Sequence, residues 1–271
     1  MLGELRKMKT ELLSPVRYQL PLSDNLVDLN PLIGQEIKLT HTGNIVCVHC
    51  QRKTKKSFSQ GFCYPCFKKL AQCDMCIMKP ETCHYDQGTC REPQWGEEFC
   101  MQPHFVYLAN SSGVKVGITR HTQIPTRWID QGATQALPIF KVATRQLSGL
   151  VEVAIAQHVS DKTSWQKMLK SKADEVDLIA KRDELISLCE QELNSLRQQF
   201  GESALELLTD ENIINIDFPI VTYPTKVKSF NFDKQAEVSG VLEGIKGQYL
   251  LLDSGVINIR KFTAYEVELT V

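Results

Sequence analysis

Nine of the ten cysteines lie between Cys47 and Cys100. Cys47-x2-Cys50 and Cys63-x2-Cys66 are twelve residues apart, which is zinc-ribbon spacing. Each CxxC turn offers two thiolates to one ion, and two such turns complete a tetrahedral shell. A redox motif would need only one pair. The spacing therefore predicts a structural Zn2+ on Cys47, Cys50, Cys63 and Cys66. Cys73-x2-Cys76 follows, with Cys83 and Cys90 at seven-residue steps. These four predict a second structural Zn2+ and leave Cys100 over. His84, Cys100 and His104 are alternative ligands within reach. An iron–sulfur cluster is the rival occupant of a four-thiolate set.

The first cysteine module is also basic. Residues 51–70 contain Arg52, Lys53, Lys55, Lys56, Lys68 and Lys69, and no Asp or Glu. Phe58, Phe62, Tyr64 and Phe67 are interleaved among them. Cations hold phosphates and aromatic faces stack on unpaired bases. Arg52, Lys53, Lys55 and Lys56 are thus candidate nucleic-acid contacts. The ordinary alternative is that the lysines solvate the surface and the rings pack around zinc.

Further on, Tyr107 sits in an apolar run at 104–109, followed by a turn over Asn110–Gly113 and a return run at Val114–Thr119. Arg127 and Trp128 follow Pro125, a residue suited to a helix start. Pro138–Thr144 predicts a third strand. Ser148 is a candidate cap for a second helix, which carries Glu152. Residues 104–160 resemble the GIY-YIG superfamily of nucleases, with Phe105-Val106-Tyr107 at the first motif and Lys115-Val116-Gly117 at the second. Phe105 replaces the first motif's glycine, and Lys115 replaces the second motif's tyrosine.

The resemblance implies a catalytic set of Tyr107, Lys115, Arg127 and Glu152. Glu152 would hold one divalent ion, Mg2+ or Mn2+, that polarises the phosphodiester. Tyr107 would help to activate water, Lys115 would serve the phosphate, and Arg127 would neutralise developing charge. Gly117 would let its strand approach a helix. Arg120 and His121 lie where a phosphate would arrive, and His158 is a further candidate. The plainer readings are a packed Tyr107, a core Trp128 and a structural Arg127–Glu152 pair. Motifs 73–76, 88–91, 115–120 and 127–133 also resemble a bacterial family of about this length that has no assigned activity.

These residues need elements to position them. The 271 residues are 42% hydrophobic and 23% charged, which is globular composition and excludes a disordered or collagenous chain. The pattern predicts an α+β protein in five segments. These are a small β element at 1–46, a double zinc module at 47–103 and a GIY-YIG-like domain at 104–160. A helical segment at 161–212 and a β-rich element at 213–271, a small barrel or sheet, complete the chain. Val176, Ile179, Ile186, Cys189, Leu193, Leu196 and Phe200 recur at helix spacing, and Gly201 marks a stop.

The net charge of −1 excludes binding of nucleic acid by bulk charge, so any such binding needs a local patch. No signal peptide or membrane-length apolar run is visible, which predicts a cytoplasmic protein. Reduced thiols in that compartment favour metal over disulfides. The expected function is metal-dependent phosphodiester hydrolysis on DNA or RNA, with the zinc modules gripping the substrate. One alternative is non-catalytic nucleic-acid binding. Another is a zinc-ribbon adaptor for a protein partner, docking through the helix at Asp174–Phe200.

Overall fold

The computed structural model describes residues 1–159 and 164–271. It is an α+β structure built on three antiparallel sheets. The expected boundary between the third and fourth segments, at 160/161, lies outside the described residues.

The N-terminal strands are β1 (Leu2–Glu4), β2 (Lys9–Glu11), β3 (Arg17–Leu22), β4 (Asn25–Asp28) and β5 (Glu36–Ile45). The cysteine-rich stretch follows. It holds only α1 (Tyr64–Lys69), α2 (Pro93–Phe99) and short 3-10 turns, including Pro80–Thr82. Next come β6 (His104–Asn110), β7 (Val114–Arg120), α3 (Thr126–Asp130), β8 (Gln135–Val142) and α4 (Arg145–Ala156). The helices α5 (Trp165–Lys170), α6 (Leu178–Leu188) and α7 (Glu190–Phe200) lead to short strands β9 (Leu205–Leu207) and β10 (Ile214–Asn215). The C-terminal strands are β11 (Glu237–Lys246), β12 (Tyr249–Leu252), β13 (Gly255–Asn258) and β14 (Tyr265–Thr270).

The two end segments, expected as separate elements, share one sheet. Its order is β1-β14-β5-β11-β12-β13. Leu2 pairs with Glu268, and Leu39 lies between Val238 and Leu269. Alternation along these strands points Ile37, Leu39, Val238, Val267 and Leu269 into one core.

The central sheet has the order β10-β8-β6-β7, with β9 also on β8, so β7 is an edge. Its two faces have different duties. Val106, Leu108, Val116 and Ile139 pack beneath α4, α6 and α7. Tyr107, Ala109 and Trp128 join the core of the end-segment sheet. Of the apolar stripe expected to dock a partner, Cys189 and Leu193 are buried against the central sheet, Val176, Ile186, Leu196 and Phe200 are half-buried on it, and Ile179 is exposed. Gly201 ends α7 at a φ of +95°, where a side chain is disfavoured.

The cap of α4 differs from expectation. Thr144, not Ser148, accepts the Leu147 N–H, while the Ser148 hydroxyl donates back to the Arg145 carbonyl from inside the helix. Ser148 is fully buried, and a cap must stand at the helix mouth.

A four-cysteine metal centre and an arginine groove

Cys47 and Cys50 lie on the turn after β5, and Cys63 and Cys66 flank the start of α1. Their sulfur atoms all lie within 4.8 Å of one another, and the Cys50 and Cys63 sulfurs are 3.6 Å apart. Burial raises the Cys47 thiol's pKa. The backbone groups of Cys50, Cys63 and His49, with the Cys50 thiol, outweigh that and bring it to about 6. N–H groups aimed at a sulfur favour the thiolate, which is the form that ligates metal. Donor set, spacing and local polarity all fit a structural zinc. Metal would replace an apolar core here, since Cys47, Cys63 and Leu70 are among the few buried side chains of the module.

The basic residues of this module do not form a site with the others. Arg52, Lys53, Lys55 and Lys56 are exposed, and none reaches the groove described below. Lys53 Nζ donates to Asn44 Oδ1 at 3.1 Å, and Lys56 lies over the Phe58 ring. Phe58 packs on Tyr64 and Phe67, with centroids at 5.4 and 5.6 Å. The rings therefore pack largely on one another.

The remaining cysteines divide. Cys76, Cys83 and Cys90 line a second small cavity, and Cys100 joins them there. Cys73 is absent from that lining and faces Ser59, Cys47 and Arg91. His104, an expected alternative ligand, is fully buried, and its Nδ1 donates to the Gln102 carbonyl at 2.7 Å. Burial holds it neutral, with a pKa down at about 4.

A groove of about 340 Å³ opens along the β7 edge. Arg120 enters it from the end of β7, Arg127 from α3, and Arg145 and Glu152 from α4. Arg260 enters from the turn before β14, and Ile77, Met78 and Pro80 of the cysteine-rich stretch form the opposite wall. Arg145 and Glu152 share a face because seven residues are nearly two helical turns. Burial lowers the pKa of Arg145 and of Arg260, and the other arginines nearby lower each further. Asp130, whose side chain is almost fully buried, partly offsets Arg260 from 4.0 Å.

The helix and the cysteine-rich wall touch closely. A Cβ at Gly149 would lie 2.6 Å from the Glu81 nitrogen, so only glycine allows this approach. Arg145 donates to the Ile77 carbonyl at 2.7 Å, and Gln146 to the Cys83 carbonyl at 3.2 Å. The Arg145 N–H binds the Cys100 carbonyl at 2.9 Å.

The structure brings Arg120, Arg127 and Glu152 together, and leaves Tyr107, Lys115, His121 and His158 off the groove lining. Tyr107 is completely buried, with its hydroxyl in no hydrogen bond of regular geometry. Burial pushes its phenol pKa up, against the pull of Arg127. Lys115 pairs with Ala109 near the far end of the β6–β7 hairpin. Gly117 accommodates the Tyr107 ring, not a helix. Trp128 is core, edge-on to Tyr107 at 6.0 Å.

Sequence reasoning missed Arg145 and Arg260. The seven-residue offset from Glu152 could have revealed Arg145. Arg260 carries no local signal. A second, apolar hollow of about 580 Å³ meets the groove at Arg120, lined by Phe99, Phe105 and His121. Arg120 lies over the Phe99 ring at 4.8 Å, and Phe105 leans on His121 at 5.5 Å.

Fold and site together define an α+β protein with a zinc-type four-cysteine module and a separate cationic groove, one wall of which is the later part of the cysteine-rich stretch. No helix among the described residues is long and apolar enough to cross a membrane. The chain belongs to the family described as Protein of unknown function (DUF2797), whose pattern matches residues 34–267. That span runs from the entry to β5 into β14 and includes both the cysteine module and the groove. No curated protein and no solved structure matches the chain.

Proposed function

We propose that the chain binds nucleic-acid phosphates in the arginine groove and cleaves a phosphodiester there. The observation that carries this is the convergence of Arg120, Arg127, Arg145 and Arg260, from separate elements, on one groove that Glu152 also lines. Half-buried guanidiniums held this close repel one another, and a polyanion relieves that repulsion. Their planar forks match phosphate oxygens. The resemblance of residues 104–160 to GIY-YIG nucleases supports the same reading.

One carboxylate facing a phosphate groove fits Mg2+ or Mn2+, which commonly complete their shell with substrate oxygens and water. When bound, the ion supplies Lewis-acid polarisation of the phosphodiester. Glu152 holds it. Arg127 and Arg145 grip the non-bridging oxygens and offset charge that grows on them. Tyr107 is a positioning residue in this scheme. Its protonated, enclosed phenol supports the Arg127 side chain from behind and does not take a proton from water.

The apolar hollow supports unpaired nucleic acid as the substrate class. A base next to a phosphate on Arg120 would reach the Phe99 and Phe105 faces, and stacking on aromatics is how single strands are held. Phe105 stands at the place of the motif's glycine, so this hollow and that departure go together.

A second reading, binding without cleavage, is favoured by the burial of Tyr107. The test is incubation of the full chain with labelled single-stranded and duplex DNA and RNA, with Mg2+ or Mn2+, alongside Glu152→Ala. Cleavage by the wild type that is lost in the variant supports hydrolysis. Salt-sensitive binding without cleavage moves the assignment to the second reading. Absence of binding at low salt overturns both.

A further inference from the structure

Four of the cysteines outside the first centre surround a cavity of about 20 Å³, room for an ion and little else. Cys76, Cys83, Cys90 and Cys100 line it, as do Asp74 and His84. Gly96 lies against the cavity: a Cβ there would press on the Tyr85 ring at 3.0 Å and touch the Cys90 sulfur at an ordinary 3.4 Å. A rival donor set exists, because Asp74, Cys76 and His84 have ligand atoms within 4.8 Å of one another. Asp74, however, is already engaged by Arg91 Nε at 2.6 Å. His84 Nδ1 meets the Thr89 hydroxyl at 2.8 Å, and His84 Nε2 lies 3.7 Å from Asp74. Asp74 and His84 thus complete a polar cluster around Arg91, while the four thiols are left around the cavity.

We infer that Cys76, Cys83, Cys90 and Cys100 form a second zinc-type metal site, and that its ion braces the helix bearing Arg145 and Glu152. Cys73 takes no part. The module needs such a tie. Between residues 71 and 92 it has only 3-10 turns, and Ala71, Cys73 and Pro80 are its buried residues. Four thiols that bind zinc release protons to solvent and draw these turns together at sulfur–metal distances of about 2.3 Å. The carbonyls of Ile77, Cys83 and Cys100 all accept hydrogen bonds from the first residues of α4. Holding those turns therefore holds one wall of the groove. This inference is independent of what the groove binds.

The test is metal analysis of the full-length protein, with Co2+ substituted for zinc to read thiolate coordination by absorption. Wild type is expected to hold two ions per chain, with cobalt–thiolate absorption expected for two four-sulfur sites. Cys100→Ser should drop to one ion and raise amide exchange at Arg145–Gly149. Cys73→Ser should retain two ions and normal exchange. One ion in the wild type overturns the inference, as does loss of the second ion in Cys73→Ser. Retention of two ions by Cys100→Ser overturns it too. If Cys100→Ser fails to fold, the wild-type cobalt band decides, because a site on Asp74, Cys76 and His84 would add the absorption of a single thiolate.

Discussion

A Cβ at Gly117 would stand 2.7 Å from the Tyr107 hydroxyl. The two residues face each other across the β6–β7 ladder, and the tyrosine ring lies over the glycine. Because Tyr107 is enclosed on every side, it has nowhere to retreat. Gly117→Ala should therefore destabilise the fold by about 1–3 kcal/mol, as overpacking does. Adding Tyr107→Phe, which removes the clashing oxygen, should recover part of the loss. Urea melts of the two single variants and the double variant would show this as a favourable coupling; simple additivity would mean the ring is not the obstacle.

Glu152→Ala removes the carboxylate from among four arginines. Cleavage should fall by orders of magnitude, while affinity for a short oligonucleotide should hold or rise, because the groove becomes more positive. Parallel loss of binding would mean that Glu152 organises the arginines structurally.

Each arginine that meets a phosphate should contribute to the salt dependence of binding. Arg145→Ala and Arg260→Ala should each reduce the slope of log K against log salt by about 1, whereas Lys55→Ala and Lys56→Ala should leave it unchanged. Fluorescence anisotropy across a salt series measures this. A reversed pattern would place the nucleic acid on the first cysteine module.

His104 sets a pH dependence. Its pKa falls from 6.5 to about 4 because burial disfavours the charged imidazolium. The unfolded chain thus binds this proton between those values and the folded chain does not. Stability from this group is full above about pH 6.5 and declines as pH falls, losing about 3 kcal/mol by pH 4. Comparing wild type with His104→Asn by denaturant melts at pH 7.5 and pH 5, with zinc in excess, isolates the effect. An equal acid loss in both proteins would assign it elsewhere.

Removal of metal should act locally. Cys47→Ser should lose the first ion and the fixed structure around residues 47–70, while far-UV signals from the central sheet persist. Unfolding of the whole chain in that variant would show that the metal module carries the end-segment core as well.

The features legible in the sequence were the local ones. The CxxC pairs showed the first centre because each is one turn of chain. The apolar runs on either side of the turn at 110–113 and the helix-period run at 176–200 showed the central α+β unit. The capping residue was misplaced because Thr144 and Ser148 are both cap-type residues, and only burial separates them. The arginine groove was half visible. Arg127 and Glu152 were suggested by a family resemblance and Arg120 by its place after Gly117, while Arg260 arrives from a turn near the other end of the chain, and no local pattern encodes such a meeting. Tyr107 was placed on the right strand, but its enclosure depends on the distant end-segment core.

The pairing of β1 with β14 has a consequence for how the molecule comes to be. Two neighbouring strands of one sheet, β1 and β14, come from opposite ends of the described order, and β5 and β11 meet across everything between them. This is a topology of high contact order, in which loop-closure entropy must be overcome before the sheet gains anything. The CxxC turns need no distant partner and can capture zinc while the sheet is still open. Arg260, by contrast, reaches the groove only when the sheet closes. Metal capture and groove completion should therefore be separate kinetic phases, and a stopped-flow refolding experiment would find the zinc signal ahead of the last gain in β structure.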